Sequence, residues 1–415
     1  MTGRIMTTRA FLLVFAATTA VSTKAADWPQ ILGPHRNGVS SEAALTWASD
    51  SPRITWETNV GQGFAGPVVV ANRVYVFHRV SDQERIEAFD RQTGKSLWRT
   101  DFPAYYRGGV NPDTGPRCVP LVTQNRIVVF GAGGDLHCVA ADDGKKLWSR
   151  ELYEELDGKE GYFGAGSSPI AVDQSVIVNV GGSPAACLVG LDLASGQVKW
   201  KAGDDDASYS SPILFGDANA TPLVCAVARL TMFLFEPNSG KIVASVPFGK
   251  RGPTVNAASP VRIGDNRIFL TASYGIGGQL LQFDRSTQQL KTIWANDESL
   301  SSQYNTPIEH DGFLYGIHGR EDVGTADLVC VKTDSGQIAW TEAAFGVAHL
   351  LRVGDTCLAL KLDGTIVAFA ANAQQFQPQG SYALPAGTYR ALPAYADGLL
   401  FVRSEKKLYS VQTGD

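Results

Sequence analysis

The sequence predicts an all-β protein: an eight-bladed β-propeller of four-stranded antiparallel blades, closed by an N-terminal strand that completes the last blade. Three observations predict it. A phrase ending in Trp recurs along the chain, a second phrase containing Pro precedes each copy, and the C-terminal copy lacks its last strand. Neighbouring Pro phrases lie 43 to 53 residues apart, the range in which self-similarity indicates propeller blades.

The Trp phrase consists of an apolar pair, often an Asp, then Thr/Ser-Gly, three residues and Trp. Clear copies are AFDRQTGKSLW (Ala88–Trp98), CVAADDGKKLW (Cys138–Trp148), GLDLASGQVKW (Gly190–Trp200) and CVKTDSGQIAW (Cys330–Trp340). Three copies are degraded: LFEPNSGKIVA has Ala244 in place of Trp, LQFDRSTQQLKTIW shifts its Trp to position 294, and VAFAANAQQF around Phe369 has none. The Gly provides a positive φ for the turn between the third and fourth strands.

Each Trp begins the outermost strand of its blade, where a large ring can be buried against the neighbouring blade. No blade buries both of its faces alone, but a closed ring of blades does. We therefore expect blade-docking roles for Trp56, Trp98, Trp148, Trp200, Trp294 and Trp340.

The Pro phrase marks the first, innermost strand of each unit. It occurs at Pro67, Pro120, Pro169, Pro212, Pro260, Pro307 and Pro393, and LLRV replaces it in the seventh unit. In SSPIAVDQSVIVNV (Ser167–Val180), two runs of branched residues flank a polar turn, as in a pair of short antiparallel strands. The segment ELYEEL (Glu151–Leu156) is compatible with a single helical turn or with a solvated loop.

The ends of the chain predict how the ring closes. The eighth unit, LPAYADGLLFVRSEKKLYSVQTGD, has three strands and a turn but neither Trp nor a fourth strand. The segment ITWETNV (Ile54–Val60) has the form of an outermost strand and directly precedes the first full unit. Trp56 is therefore expected to complete the last blade. A seven-bladed ring is the alternative if the degraded seventh unit is not a blade.

We expect three parts in the chain: a signal peptide over residues 1–26, an N-terminal extension over 27–53 and the propeller over 54–415. Arg4 and Arg9 precede the apolar run AFLLVFAATTAV, and cleavage is expected after Ala25. An uncleaved leader that acts as an anchor is the alternative. The signal peptide predicts that the protein is periplasmic or secreted. Because no Cys stands at the cleavage point, we expect no lipid anchor. The expected oligomeric state is a monomer.

Composition excludes one class of partner. The formal net charge is −5 and no Lys/Arg-rich run is present, so the basic surface of a nucleic-acid binder is missing. The six cysteines are dispersed through apolar strand-like runs at about one per repeat, which favours buried thiols, with disulfides as the alternative in an exported chain.

The Trp copies resemble the pyrroloquinoline-quinone-like repeat family over the whole mature chain. The opening DWPQILGPHRNGVS (Asp27–Ser40) is similar to the leader of exported bacterial members. That resemblance implies the propeller fold and a likeness to the propeller subunit of the outer-membrane barrel-assembly machinery. The likeness to quinoprotein alcohol dehydrogenases is more distant. Activity does not follow from the fold.

The dehydrogenase site is not recognisable in this sequence. The quinoprotein alcohol dehydrogenases resemble one another in a vicinal Cys-Cys pair over the quinone and in Glu, Asn and Asp ligands of a calcium ion. In this sequence no cysteine has a Cys neighbour. Asp204-Asp205-Asp206 is interpreted as a solvated turn, and the six dispersed histidines do not predict a metal site. We expect no cofactor and no metal, with pyrroloquinoline quinone and calcium as the alternative.

The leading ends of the innermost strands should open onto one face, around the mouth of a central channel. The residues around the Pro phrase place Tyr, Asn, Arg and His groups there, as in a polar ligand pocket. The alternative is that these side chains cap strand ends and hold water. The candidate ligand-binding residues are Arg117, Ser168, Tyr209, Asn256, Tyr304, Asn305, His349, Tyr389 and Arg390.

Two functions remain open from the sequence. The first is an exported, non-catalytic scaffold of the cell envelope that binds an envelope protein or an extended peptide at its channel mouth or blade edges. The second is an oxidoreductase that uses a quinone or another small molecule at the central channel. The first is the prediction and the second is its alternative.

Overall fold

A computed structural model describes Gly3 and residues 26–42, 44–45, 47, 53–217 and 221–414. Within these residues the strands form eight sheets, each of four antiparallel strands. The predicted eight-bladed propeller is confirmed, and the seventh unit is a true blade. The predicted signal peptide lies, except for Gly3 and Ala26, outside the described residues.

Each blade runs outward from the axis, strand by strand. Blades 1 and 2 consist of β2 (Val68–Val70), β3 (Arg73–Val80), β4 (Gln83–Asp90) and β5 (Ser96–Pro103), then β6 (Leu121–Thr123), β7 (Arg126–Phe130), β8 (Asp135–Ala140) and β9 (Lys146–Glu151). Helix α1 (Leu152–Leu156) follows, at the place where the sequence allowed one turn. Blades 3 and 4 consist of β10 (Ile170–Val172), β11 (Ser175–Gly182), β12 (Ala186–Asp192) and β13 (Val198–Ala202), then β14 (Ile213–Phe215), β15 (Leu223–Val227), β16 (Thr231–Phe235) and β17 (Ile242–Pro247).

The second half of the ring repeats this order. Blades 5 and 6 consist of β18 (Val261–Ile263), β19 (Arg267–Ala272), β20 (Gly277–Asp284) and β21 (Gln289–Asn296), then β22 (Ile308–His310), β23 (Phe313–His318), β24 (Asp327–Lys332) and β25 (Ile338–Glu342). Blade 7 consists of β26 (Ala348–Val353), β27 (Thr356–Lys361), β28 (Thr365–Ala370) and β29 (Pro378–Ala383), and blade 8 of β30 (Ala394–Ala396), β31 (Leu399–Arg403), β32 (Lys407–Gln412) and β1 (Arg53–Asn59).

The N-terminal strand closes the ring as predicted. Strand β1 pairs antiparallel with β32, so that Arg53 lies opposite Gln412 and Trp56 opposite Ser410. The hydroxyl of Thr55 adds a 2.9 Å hydrogen bond to the Ser410 hydroxyl. Blade 8 is therefore built from both ends of the chain, and the ring is held shut by backbone pairing.

The tryptophans link consecutive blades through two contacts. The Nε1 of Trp56 donates a 2.8 Å hydrogen bond to the Arg91 carbonyl in blade 1. A Cβ at Gly94, in that same turn, would lie 2.5 Å from the Trp56 ring. The recurring Gly thus leaves room for the indole of the preceding blade, besides allowing the positive φ of the turn. The corresponding acceptors are Leu193 for Trp148, Pro237 for Trp200, Thr333 for Trp294 and Asn372 for Trp340.

Trp98 departs from this pattern. Its buried Nε1 has no partner among the described residues. The carbonyl of Ala141, which stands at the corresponding place in blade 2, accepts hydrogen bonds from Arg73 and Tyr75 of blade 1. These two side chains make the hydrogen bonds to this carbonyl, while the Trp98 ring still packs against Gly144.

The N-terminal segment 27–42 crosses the propeller axis. The backbone of Trp28 pairs with that of Val69 in blade 1. The Arg36 side chain donates a hydrogen bond to blade 3. The backbones of Gly38 and Ser40 form hydrogen bonds with the backbone of Arg352 in blade 7. Blades 3 and 7 face each other in an eight-membered ring, so the segment spans the channel. Its backbone contacts are with Val69, the middle residue of β2, and with Arg352, next to the last residue of β26.

All six cysteines are buried and free. Burial raises the pKa of the Cys118 thiol to about 12, with the same effect on Cys138, Cys330 and Cys357. Of the two alternatives left by the sequence, the structure has the buried thiols.

Candidate functional site

The channel mouth is built from one repeat position. The residue three places before the recurring Pro stands four places before the innermost strand, in the segment that leads into it. In blades 1, 2, 4, 6 and 8 these residues are Phe64, Arg117, Tyr209, Tyr304 and Arg390. Four of the five belong to the predicted site, and Phe64 was missed although the same spacing identifies it.

Phe64 lies between two arginines that belong to its neighbouring blades. The guanidinium of Arg117 is 5.1 Å from the centroid of the Phe64 ring, and that of Arg390 is 5.5 Å from it. Guanidinium groups at this distance from a ring face are attracted by its quadrupole. Blades 8, 1 and 2 are thus joined at the mouth by a cation–π ladder.

A carboxylate extends this ladder to blade 6. Glu321, from the loop that connects β23 and β24, accepts a 3.1 Å hydrogen bond from Nε of Arg390 and a second one from its Nη2. The Tyr304 hydroxyl donates to the same carboxylate at 3.0 Å. The bond to Glu321 raises the pKa of Arg390, and burial raises that of Tyr304. Glu321 was not among the predicted residues because it stands in a loop outside the repeated phrases.

Arg117 is held by the loop that connects blades 1 and 2. Its Nη2 donates a 2.6 Å hydrogen bond to the Asp113 carbonyl, and its Nη1 lies 3.6 Å from the Asp113 carboxylate. That carboxylate also accepts from the backbone N–H of Gly63 at 3.0 Å. Asp113 therefore ties the loop to the residues that lead into the innermost strands of blades 1 and 2. Burial lowers the pKa of Arg117.

Ser168 belongs to a series of hydrogen bonds that connect neighbouring blades. Its hydroxyl accepts from the backbone N–H of Val119, and its own N–H donates to the Ser211 hydroxyl, both at 2.9 Å. The N–H of Ser259 donates to the Thr306 hydroxyl in the same way. The Ser or Thr that directly precedes Pro thus satisfies the backbone of the preceding blade, which was the alternative interpretation of this position.

His349 replaces that hydroxyl in blade 7. Its Nε2 is 2.9 Å from the Arg390 carbonyl, and its Nδ1 is 3.4 Å from the Asn305 side-chain nitrogen. Burial lowers the pKa of His349 to about 4, so the ring is neutral at physiological pH. His349 and Asn305 lie together and connect blades 6, 7 and 8.

Tyr209 and Asn256 line a cavity of about 360 Å³ that extends under the loop before blade 3. The Tyr209 hydroxyl accepts a 2.8 Å hydrogen bond from the Phe163 N–H. The Asn256 amide donates to three carbonyls, including those of Ala228 and Arg229, while its buried Oδ1 has no partner among the described residues.

Tyr389 is not at the mouth. It is fully buried, its hydroxyl donates to the Pro385 carbonyl at 2.7 Å, and a Cβ at Gly364 would lie 2.6 Å from its ring. It stands four places before Pro393 rather than three, and its side chain packs in the core between blades 7 and 8. Its assignment to the ligand-binding set is therefore corrected to a core role.

Two loops rise beside the cavity and expose apolar side chains. Tyr105 and Val110 stand in the loop before blade 2 and are 49% and 72% exposed, and Tyr162, in the loop before blade 3, is 43% exposed. The loops touch where the N–H of Val110 donates to the Tyr162 carbonyl at 3.3 Å. We call Tyr105, Val110 and Tyr162 the mouth crest. The sequence pattern did not indicate it because loops lie outside the repeat.

The residues at the mouth do not fit a quinone with calcium. A calcium ion takes six to eight oxygen ligands, whereas the carboxylates here, Asp113 and Glu321, are both engaged by guanidinium groups. Among the described residues no group of three or more His, Cys, Asp or Glu side chains could hold a metal. Cys118 has no Cys beside it in the sequence.

In the part of the chain that the structure describes, no helix has the length and apolarity needed to cross a membrane.

Comparison with known proteins identifies relatives. A family model described as outer membrane protein assembly factor BamB matches residues 82–342. The chain is 24% identical to the BamB protein of Burkholderia pseudomallei over 368 residues, 76% of this chain and 87% of that protein. It is 24% identical to that of Escherichia coli over 264 residues, 60% of this chain and 64% of that protein.

Solved structures share the fold. The crystal structure of BamB from Moraxella catarrhalis superposes with a TM-score of 0.63 at 16% identity, covering 87% of this chain and 98% of that one. Quinohemoprotein alcohol dehydrogenase from Comamonas testosteroni superposes with a TM-score of 0.68 at 14% identity, covering 94% and 81%. At these identities the superpositions establish the architecture and no activity.

Proposed function

The chain belongs to the family described as outer membrane protein assembly factor BamB, and on that basis we propose that it is a non-catalytic scaffold of the cell envelope that docks a protein partner on its mouth face. The relatives' name places them in outer-membrane protein assembly. The proposed partner is accordingly a component of that process, and the proposed location is the periplasm.

The mouth crest is the observation that supports this proposal. Three large apolar side chains stand exposed on adjoining loops, next to a cavity. Exposed apolar residues that cluster beside polar groups mark interaction sites, whereas isolated ones need no explanation. Aromatic residues such as Tyr105 and Tyr162 are also the type enriched in interface cores.

The surrounding charges favour recognition over catalysis. Arg117, Arg390, Asp113 and Glu321 satisfy one another, and His349 is a buried hydrogen-bond bridge rather than a free base. Polar groups that are already paired fix the loops in place, and a pre-organised surface binds with a smaller loss of conformational entropy.

Site-specific photo-crosslinking in cells tests the proposal. A photoreactive amino acid is placed at Tyr105 or Tyr162, and at Leu147 as the matched control. Leu147 is also apolar and 42% exposed, but it stands on the outer strand β9. We expect adducts from the two crest positions that mass spectrometry identifies as an outer-membrane assembly component, and none from position 147.

The triple variant Tyr105→Ser, Val110→Ser, Tyr162→Ser provides the functional arm. We expect it to keep the wild-type melting temperature, since the side chains are exposed, and to lose the adduct. It should also lower the level of outer-membrane barrel proteins as far as deletion of the gene does. Crest positions that crosslink no more than position 147 would refute the docking site.

A further inference from the structure

Asp397 binds both ends of the N-terminal segment that crosses the propeller axis. It stands in the turn between β30 and β31 of blade 8, the blade that closes the ring. The backbone N–H of Ala26, directly before the segment, donates a 2.8 Å hydrogen bond to Asp397 Oδ1. At the other end, the Glu42 carboxylate accepts from the N–H of Asp397 at 2.7 Å and from that of Gly398 at 3.1 Å. The segment thus starts and ends on one turn of blade 8.

Arg91 connects the same carboxylate to blade 1. Its Nη2 lies 2.8 Å from Asp397 Oδ2 and donates to the Ala396 carbonyl, and its Nη1 donates to the Ala71 carbonyl at 3.2 Å. The Ala71 N–H in turn donates to the Asp27 carboxylate at 2.8 Å. The start of the segment is therefore held at the seam between blades 8 and 1, where the last blade meets the first.

The charges at this seam favour a further cation. Burial raises the pKa of Glu42, the nearby Asp397 carboxylate adds to this effect, and Arg91 opposes it. Asp27 brings a third carboxylate to the seam. A positive charge on the nitrogen of Ala26 would lie 2.8 Å from Asp397, at the distance of an ion pair.

Signal-peptide cleavage is expected directly before Ala26 from the sequence. We propose that processing occurs there and that the new α-ammonium group of Ala26 forms an ion pair with Asp397. Hydrolysis by a signal peptidase adds one water to the Ala25–Ala26 bond and leaves a carboxylate on Ala25 and an ammonium group on Ala26. The nitrogen of Ala26 then carries a charge and three N–H donors in place of one. Removal of the leader thereby stabilises the seam at which the ring closes.

The mature N-terminus is the first test. N-terminal sequencing of protein purified from the exported fraction should give Ala26 as the first residue. A chain that begins at Asp27 or at any other residue, or that retains its leader, would refute the processing site.

The ion pair is tested by moving the charge. Thermal unfolding is compared between a chain that begins at Ala26 and one with an extra Gly before it, in which the nitrogen of Ala26 is again an amide. At pH 7 we expect the first chain to melt about 1 °C higher, as for a partly exposed ion pair in a protein of this length. At pH 10 the difference should vanish, because the α-amino group has then lost its proton.

Asp397→Asn shows whether this carboxylate is the partner. Asn tolerates the positive φ of 49° in this turn, and the loss of the Arg91 contact cancels when the two chains are compared in the same background. The difference in Tm should disappear in Asp397→Asn. It should persist in Asp173→Asn, the matched control, which stands in the corresponding turn of blade 3 at a φ of 53°. Equal melting temperatures of the two wild-type chains at pH 7, or a difference that survives Asp397→Asn, would overturn the ion pair.

Discussion

Trp47 packs over Gly380 in blade 7. Strand β29 has Gly380 opposite Ala368 at the same bulge where β25 has Trp340 opposite Cys330, so Gly380 occupies the tryptophan position of its blade. A Cβ at Gly380 would overlap the Trp47 indole. The N-terminal extension thus supplies, from a distant part of the chain, the ring that blade 7 lacks.

We therefore expect Trp47→Ala to lower the free energy of unfolding by about 2 kcal/mol, because a half-buried indole is lost from a packed site. Gly380→Ala should be destabilising for the opposite reason, since its methyl group collides with the indole. The double variant gives the decisive measurement. In urea unfolding, Gly380→Ala should cost little when Trp47 is already Ala, and additive losses would show that the two residues do not contact each other.

Trp56 makes the corresponding contact at the closure of the ring. Trp56→Ala removes a buried indole and its hydrogen bond to Arg91, for which we expect a loss of about 3 kcal/mol. Trp56→Phe should recover part of this loss. A truncated chain that begins at Gly61 should melt at a lower temperature in one cooperative step, and a Tm equal to that of the mature chain would contradict closure by β1.

The number of blades and the closure could be predicted because both follow from repeated local phrases. The roles of Trp47 and Glu321 could not, because each acts on a residue that is distant in sequence and lies outside the phrases. Tyr389 shows a different limit: one residue of offset from Pro393 separates the mouth from the core. Spacing identifies a strand entrance, but the direction of a side chain there depends on the neighbouring blade.

Glu84 makes stability depend on pH. It is buried, accepts a 2.9 Å hydrogen bond from the Ala132 N–H, and burial raises its pKa to about 7. Because the folded protein holds the proton more tightly than the unfolded chain, stability falls as pH rises from about 4.5 to 7. Asp135, whose pKa burial raises to about 6, acts in the same direction. Arg79 and Arg117 attract the Glu84 carboxylate and oppose the effect.

Glu84→Gln keeps the acceptor for Ala132 and removes the ionisation. We expect it to be more stable than the wild type at pH 8, by on the order of 2 kcal/mol, and nearly equal to it at pH 4.5. Urea unfolding at both pH values measures this difference. Glu57→Gln, at an exposed position of β1, serves as the control, and a gain of the same size at pH 4.5 would contradict an origin in ionisation.

The cysteines should be unreactive in the folded protein. All six are buried thiols, and a thiolate rather than a thiol is the nucleophile. With a thiol-specific dye at pH 8, we expect no rapid reaction of the native exported protein and six equivalents after denaturation. Fewer than six equivalents without a reductant would show that some of these thiols are oxidised in the compartment.

Pyrroloquinoline quinone with calcium should not form a specific complex with this protein. The mouth offers a quinone carboxylate two guanidinium groups, but Glu321 and Asp113 already engage them, and neither carboxylate is free for calcium. Titration of the quinone in the presence of calcium should therefore give no saturable change in its absorbance and no dye-linked oxidation of alcohols. The variant Glu321→Gln separates two explanations, because it frees Arg390. If it binds the quinone while the wild type does not, the ion pair closes the mouth to anionic ligands. Saturable binding and turnover by the wild-type protein would instead establish the oxidoreductase.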